Sequence, residues 1–96
     1  MMELLKTGVA GTLESGDIYV EIEKGGSGVE IDLQSTVASL YGRRIREVIS
    51  EVLNEQGITS AHVTANDKGA LDCTVRARVA TALFRACEQS DCGFWK

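Results

Sequence analysis

The 96-residue sequence contains few of the residues from which metal sites and self-contained active sites are built. It has one histidine, His62, and three cysteines, Cys73, Cys87 and Cys92, with no CxxC pair. Structural zinc sites take four such ligands, so we expect no metal. A serine nucleophile needs a nearby base, normally a histidine held by a carboxylate, and we interpret His62 as a structural residue on a strand. We therefore expect no catalytic residues.

Long apolar runs are also missing. No stretch approaches the roughly 20 apolar residues that span a bilayer. The first residues, "MMELLKTGVAGTL", carry an early acid and lack a long apolar segment, so we expect neither a signal peptide nor a membrane partner. The odd cysteine number, crowded towards the C-terminus, favours reduced thiols in the cytoplasm over a disulfide framework.

Positive charge is in deficit. Fourteen acidic residues against ten basic ones give a net charge of −4, which repels phosphate backbones and argues against a nucleic-acid partner. The arginines on the predicted helices mostly solubilise those helices. A phosphate-facing role is the alternative interpretation for four of them, Arg43, Arg44, Arg76 and Arg78.

Alternating apolar and polar residues predict strands at 18–23, 29–34 and 58–65, because successive side chains of a strand point to opposite faces. A first strand is expected within residues 4–13. The connection "KGGSG" between the second and third strands predicts that these two form a hairpin. The segment "NDKG" is expected to end the fourth strand.

From Ser35 or Thr36 the apolar residues recur at spacings of three and four, which predicts a helix to about Gln56. Ser35 or Thr36 is the predicted N-cap, and Gly57 is the predicted left-handed residue after the helix. The predicted apolar stripe is Val37, Leu40, Tyr41, Ile45, Val48, Ile49, Val52 and Leu53.

A second helix is predicted from about Ala70, with Asp67 or Asn66 capping its start. Its predicted apolar side is Leu71, Val75, Val79, Ala82, Leu83 and Ala86. The element order is therefore β-β-β-α-β-α. This order predicts an α+β fold, a mostly antiparallel four-stranded sheet with two helices packed on one face.

The whole chain, 1–96, is expected to be a single domain with an ordered core over about 9–87. Residues 88–96 show no periodicity and are expected to form a mobile tail. Phe94 and Trp95 in this tail are an apolar pair suited to docking on this domain or on a partner.

One short turn carries the candidate functional position. In "GTLESGD", Ser15 places a hydroxyl on an exposed turn between two strands, with Glu14 and Asp17 beside it. Gly16 is expected to take the positive φ of a tight turn and to keep bulk away from the serine oxygen. A hydroxyl without catalytic partners suits a residue that another enzyme modifies.

Two longer segments carry a resemblance to a known family. "AGTLESGD" at residues 10–17 and "NDKGALDCTVRARV" at residues 66–79 resemble the acyl carrier protein of citrate lyase, its gamma subunit. The resemblance extends from about Val9 to Ala86 and includes the order of strands and helices.

The resemblance implies that Ser15 is the covalent attachment point of 2'-(5''-triphosphoribosyl)-3'-dephospho-CoA, with Glu14, Gly16 and Asp17 as recognition context for a prosthetic-group transferase. It implies a non-catalytic carrier of acetyl and citryl thioesters. The implied partners are an alpha subunit, which is the acyl transferase, and a beta subunit, which is the acyl lyase. Together they cleave citrate to acetate and oxaloacetate in the cytoplasm.

Two alternatives stay open at this point. The carrier subunit of malonate decarboxylase is similar in arm chemistry and fold, although the long "GTLESGD" and "DKGALDC" segments favour citrate lyase. An unmodified interaction domain is the other alternative, and it requires that Ser15 stay bare.

Overall fold

The computed structural model describes residues 4, 6–26, 28–35 and 38–87, without the side chains of residues 38–41. The predicted tail at 88–96, with Phe94 and Trp95, lies outside the described residues, as does Cys92. The α+β fold and the element order are confirmed. The elements are β1 (Gly8–Ala10), β2 (Ile18–Lys24), β3 (Val29–Ser35), α1 (Ala38–Glu55), β4 (Ala61–Asp67) and α2 (Asp72–Cys87).

The four strands form one sheet in the order β1-β2-β4-β3. β2 pairs antiparallel with both β1 and β4, whereas β3 and β4 pair in parallel. The predicted hairpin between β2 and β3 is therefore wrong, because β4 lies between them. The glycine-rich connection allows the chain to turn but does not fix which strand it pairs with. A parallel pair needs a long crossover, and α1 supplies it.

Both helices cover the same face of the sheet, as predicted. α2 packs on β1 and β2, while α1 packs on β3 and on α2. The buried side chains of β2 and β4 alternate along each strand and meet the helices: Ile18, Val20 and Ile22 with Ala61, Val63 and Ala65. Gly8 in β1 lies so close to α2 that a Cβ atom there would overlap the Ala82 carbonyl oxygen.

β3 lies at an edge of the sheet, so its apolar residues are less buried than their alternation predicts. Ile31 and Leu33 face the helices but are only half-buried. The edge carbonyl of Ile31 accepts a hydrogen bond from Arg46 Nη1 at 2.8 Å. At the opposite edge, the Val9 carbonyl in β1 accepts one from Arg85 Nη1 at 2.8 Å. These arginines satisfy carbonyls that a neighbouring strand would otherwise pair with.

The predicted α1 stripe is confirmed for the five residues whose side chains are described, Ile45, Val48, Ile49, Val52 and Leu53, all of which are buried. The C-terminus of α1 also follows its prediction. Gly57 has φ +75° and donates to the Asn54 carbonyl at 3.1 Å, while Ile58 donates to the Leu53 carbonyl at 2.9 Å. This pair of bonds is a Schellman motif, which satisfies carbonyls at the helix end.

The predicted start of α2 needs correction, whereas that of α1 stays a prediction. Ser35 ends β3 and its hydroxyl donates to Asp67 at 2.8 Å. Thr36 and Val37, which lead into α1, lie outside the described residues. Asp67 is not the cap of α2, since it is the last residue of β4. α2 begins at Asp72, and Leu71, predicted on its apolar side, is 70% exposed before the helix begins. The other five predicted apolar residues of α2 are buried.

Candidate functional site

Ser15 occupies a tight turn in the loop that joins β1 to β2. The Asp17 N–H donates to the Glu14 carbonyl at 3.1 Å, which closes a four-residue turn with Ser15 at its second position. Gly16 follows with φ +86°, the value typical of the third position of a type II turn. Ser15 and Glu14 are exposed. The turn therefore presents the serine hydroxyl outward.

Gly16 is required for its backbone conformation. Apart from its two neighbours in the chain, a Cβ atom at this position would meet no atom of the described residues within 4 Å. The expected positive φ is confirmed, and the expectation that the missing side chain keeps bulk away from the serine oxygen stays a prediction. Residues with a Cβ pay a steric cost at such φ values.

Backbone hydrogen bonds hold the turn against the end of β4. The Gly16 N–H donates to the Lys68 carbonyl at 2.7 Å, and the Lys68 N–H donates to the Asp17 carbonyl at 2.9 Å. These bonds continue the antiparallel β2–β4 ladder beyond its last registered pair, Ile18 with Asp67. The "ESGD" and "NDKG" segments, which begin 52 positions apart in the sequence, are thus direct neighbours.

The Asp17 carboxylate is the centre of the side-chain contacts in the turn. Arg78 of α2 binds it with both arms of its guanidinium, Nε to Oδ1 at 3.0 Å and Nη2 to Oδ2 at 2.9 Å. Thr12 Oγ1 donates to Oδ2 at 2.8 Å, and the Ile18 N–H donates to Oδ1 at 2.7 Å. The Asp17 side chain is 15% exposed. Its carboxylate therefore bridges the turn, β2 and α2.

These donors stabilise the charged form of Asp17. The Arg78 hydrogen bond, followed by that of the Ile18 N–H, lowers the pKa of Asp17 from 3.8 to about 2. Because the folded pKa is depressed, the stabilisation is present above pH 3.8 and is lost as the pH falls towards 2. The contacts of the turn therefore persist throughout the neutral pH range.

We predict that Asp17 stabilises the folded protein relative to Asp17→Asn near neutral pH and that this stabilisation is lost in acid. The free energy of unfolding of the wild type should exceed that of Asp17→Asn at pH 6, and the gap should close between about pH 4 and 2, where Asp17 takes up its proton. Urea unfolding of both proteins across that range measures the gap. An equal gap at pH 2 and pH 6 would contradict this electrostatic account.

A second carboxylate organises the segment that follows β4. Asp67 is fully buried and accepts the Ser35 hydroxyl at 2.8 Å, the Gly69 N–H at 3.2 Å and the Ala70 N–H at 3.0 Å. The three bonds tie the end of β3 to the loop that leads into α2. Sequence reasoning missed this burial because the strand was ended at Ala65. The period-two phase of Ala61, Val63 and Ala65 continues to Asp67 and would have revealed it.

A cleft of about 420 Å³ lies between α1 and the loop that follows β4. Its lining includes Arg44, Ile45, Asp67, Leu71 and Asp72. Arg44 Nε donates to Asp72 Oδ2 at 2.8 Å, so the one cation among these lining residues is already paired. Two carboxylates and one paired arginine do not form a cradle for a phosphate.

Three of the four arginines considered for phosphate binding have carboxylate partners. Arg44 pairs with Asp72, Arg76 of α2 with Glu51 of α1, and Arg78 with Asp17. These contacts join the two helices and fix the turn, which gives each of the three arginines a structural role. For Arg43, which is exposed, the phosphate-facing role stays a prediction.

His62 lies on a strand, as predicted, and on the face of the sheet opposite the helices. Its Nε2 is 2.8 Å from Asp32 Oδ2 and its Nδ1 is 3.6 Å from Glu23 Oε2. The hydrogen bond to Asp32, with the charges of Asp32, Glu23 and Glu30, raises the pKa of His62 above 6.5. The ring therefore belongs to a charge cluster that β2, β3 and β4 form on this face of the sheet.

We predict a His62 pKa above 6.5 in an NMR titration of the imidazole protons, falling towards 6.5 in Asp32→Asn. Since the folded pKa is raised, the stabilisation is full below the unfolded value and is lost as the pH rises through the folded one. The stability advantage over His62→Gln should thus fade at alkaline pH. A wild-type pKa at or below 6.5 would contradict the prediction.

Three further features concern metal binding, disulfides and membrane spans in the described part of the chain. No group of three or more His, Cys, Asp or Glu side chains there is arranged to hold a metal ion. Neither Cys73, which is exposed, nor Cys87, which is buried, takes part in a disulfide. Among the same residues, no helix is long and apolar enough to cross a membrane.

A family model of acyl carrier proteins, described as the malonate decarboxylase delta subunit, matches residues 5–86. A solved structure of a Pseudomonas malonate decarboxylase hetero-tetramer in complex with malonate contains a similar chain. That chain superposes with a TM-score of 0.68 at 25% identity, covering 81% of this chain and 80% of the other.

Curated relatives are more similar in sequence. The citrate lyase acyl carrier protein of Lactobacillus helveticus is 51% identical over 90 residues, 94% of this chain and 93% of that protein. The citrate lyase acyl carrier protein of Oenococcus oeni is 47% identical over 95 residues, 99% of this chain and 98% of that protein. These matches confirm the resemblance carried by residues 10–17 and 66–79. The chain belongs to the family of citrate lyase acyl carrier proteins.

Proposed function

We propose that this protein is the acyl carrier subunit of a citrate lyase complex and that Ser15 is the attachment point of its prosthetic group. The observation that carries the proposal is the geometry of the turn. An exposed serine stands on a turn whose backbone is bonded to Lys68 and whose aspartate is bound by Arg78. Citrate lyase is favoured over malonate decarboxylase because relatives with that name are 44–51% identical.

The residues of the turn fit a phosphoribosyl-dephospho-CoA group that is attached through a phosphodiester and derives from 2'-(5''-triphosphoribosyl)-3'-dephospho-CoA. The hydroxyl of Ser15 makes no hydrogen bond to any residue within the described ranges, and open space surrounds Gly16. When bound, this group supplies a terminal thiol that holds acyl groups as thioesters. Ser15 supplies the oxygen of the phosphodiester, while the clamped turn fixes where the arm begins.

Glu14 and Asp17 have different roles in this proposal. The exposed Glu14 is available to the prosthetic-group transferase as a recognition residue. Asp17 has most of its side chain covered and its carboxylate occupied by Arg78, so it acts by holding the turn in shape. Gly16 contributes the backbone conformation that joins the two.

The carrier itself makes and breaks no bond to citrate in this proposal. An alpha subunit transfers acyl groups and a beta subunit cleaves the carbon skeleton, both in the cytoplasm, where the three thiols of the chain stay reduced. A tether on Ser15 converts the encounters with two active sites into intramolecular events. Flexible links of this kind give effective concentrations of about millimolar.

A substrate test separates this function from that of the alternative carrier. The complex assembled with the modified protein should convert citrate to acetate and oxaloacetate and should release no carbon dioxide from malonate. Both reactions are measured on one preparation, by coupled oxaloacetate reduction and by carbon dioxide release. The same complex assembled with unmodified carrier is the control and should be inactive. Turnover of malonate in place of citrate would overturn the assignment.

A further inference from the structure

We propose that Arg78 is a positioning residue for the chemistry of Ser15. Its hydrogen bonds to Asp17 fix the turn that contains Ser15 to helix α2 and so determine the rate at which the prosthetic group is attached. This inference rests on the proposed function. It assigns a role in that function to a residue 63 positions away from the serine in the sequence.

The contact between Arg78 and Asp17 is a bidentate ion pair, which fixes the orientation of both side chains. Both arms of the guanidinium bind both oxygens of one carboxylate, at 3.0 and 2.9 Å, and such a fork fixes direction as well as distance. Arg78 lies in the first half of α2, whose residues Val75 and Val79 are fully buried in the core. The guanidinium therefore projects from a part of the fold that does not move with the loop.

The other contacts of the turn hold it in a different way. Thr12 bonds Asp17 from within the same loop, so the two move together. The backbone of Lys68 forms hydrogen bonds with the backbone of Gly16 and Asp17, and these bonds extend the β2–β4 ladder. A ladder that ends in a single pair of bonds is free to fray. Arg78 ties the turn to the helical layer, and this tie resists a rotation of the turn away from α2.

A fixed turn matters because the rate of group transfer depends on how accurately the reacting atoms are placed. Attachment forms a bond between Ser15 Oγ and the ribose-linked phosphorus of the triphosphate. It breaks that phosphorus's anhydride bond to the outer phosphates, and it releases pyrophosphate and the hydroxyl proton. A misplacement of about 1 Å between such reacting atoms lowers rates by about a hundredfold. Losing Arg78 should thus slow attachment even though Ser15 is untouched.

The experiment compares Arg78→Gln and Arg78→Lys with Arg85→Gln in the full-length unmodified carrier. Arg85 lies on the same helix, is exposed and bonds the Val9 carbonyl at the sheet edge, away from the turn, which makes it a matched control. Purified prosthetic-group transferase and its activated cofactor are supplied, and modification is followed by intact mass. Thermal unfolding confirms that each variant is folded under the assay conditions.

In Arg78→Gln, kcat for attachment should fall by about tenfold to a hundredfold, while KM stays within about twofold. A role in stability alone would not produce this split in a folded variant. Arg78→Lys keeps the charge but loses the two-armed contact with Asp17, so its kcat should lie between those of the wild type and Arg78→Gln. Hydrogen exchange at the Gly16 amide, which bonds Lys68, should accelerate by about tenfold in Arg78→Gln. Arg85→Gln should match the wild type in both measurements.

Two results would overturn the inference: wild-type kcat in folded Arg78→Gln, or unchanged Gly16 exchange in that variant. If Arg78→Gln does not fold, Arg78→Lys decides in the same way. These failures differ from a failure of the proposed function, in which the wild-type carrier itself would receive no group on Ser15. The exchange measurement does not need the transferase and therefore stands in either case.

Discussion

Replacing Ser15 by alanine should abolish citrate cleavage by the assembled complex while leaving the carrier folded. Ser15 is exposed, and exposed substitutions of this kind usually change the free energy of unfolding by no more than about 0.5 kcal/mol. The loss of activity has a chemical cause, because alanine offers no oxygen for the phosphodiester. Activity is measured by coupled oxaloacetate reduction, and stability by urea unfolding of the isolated carrier.

Ser50→Ala is the matched control for this prediction. Ser50 is an exposed serine on α1, so it tests the loss of a surface hydroxyl away from the turn. Complexes with Ser50→Ala should keep wild-type activity. Citrate cleavage that survives in a Ser15→Ala assembly, free of wild-type carrier, would show that acyl transfer does not pass through this residue.

Replacing Val48 by aspartate should unfold the domain whatever the state of Ser15. Val48 is fully buried on the stripe of α1 that faces the core. A carboxylate there loses its hydration without gaining a partner, at a cost above about 4 kcal/mol. A domain of this size has only about 5–15 kcal/mol of stability in total. Circular dichroism and thermal unfolding should show loss of the cooperative transition.

The control for Val48→Asp places the same side chain on the opposite face of the same helix. Ser50 is exposed, so Ser50→Asp should change the free energy of unfolding by no more than about 0.5 kcal/mol. The contrast separates burial from helix propensity. A cooperative transition at the wild-type temperature in Val48→Asp would mean that this stripe does not form the core.

Local patterns in the sequence predicted the parts of the fold that depend on local physics. The stripe around Val48 and Ile49 follows the helical period, and Gly57 has the positive φ that ends a helix. The exposed turn at Ser15, with Gly16 at positive φ, was also predictable. In each case, residues within a few positions of one another determine the conformation.

The pairing of the strands could not be predicted from local sequence patterns. β2 and β3 both alternate and are joined by a glycine-rich connection, yet β4 lies between them. Which strand takes the central position depends on how α1 returns the chain to the sheet, and the period of β2 or β3 carries no information about that return. The burial of Asp67 is hard to predict for a different reason, because a polar residue favours the end of a strand over a buried position within it.

The long-range contacts of the candidate site could not be predicted either. Asp17 and Arg78 are 61 residues apart and belong to different layers of the fold. An aspartate in a turn and an arginine on a helix are each common as solvated residues, so neither sequence position signals the other. The sequence predicted which residue presents the hydroxyl, and the structure adds the contacts that hold it in place.

The proposed carrier function requires that the Ser15 hydroxyl hold a covalent nucleotide arm in the working protein. Intact-mass spectrometry of the carrier from its native host, grown on citrate, with peptide mapping, tests it most directly. We expect one adduct with the mass of a phosphodiester-linked phosphoribosyl-dephospho-CoA, located on Ser15 and absent from Ser15→Ala. A carrier that has the mass of its unmodified chain, isolated from a complex that still cleaves citrate, would contradict it.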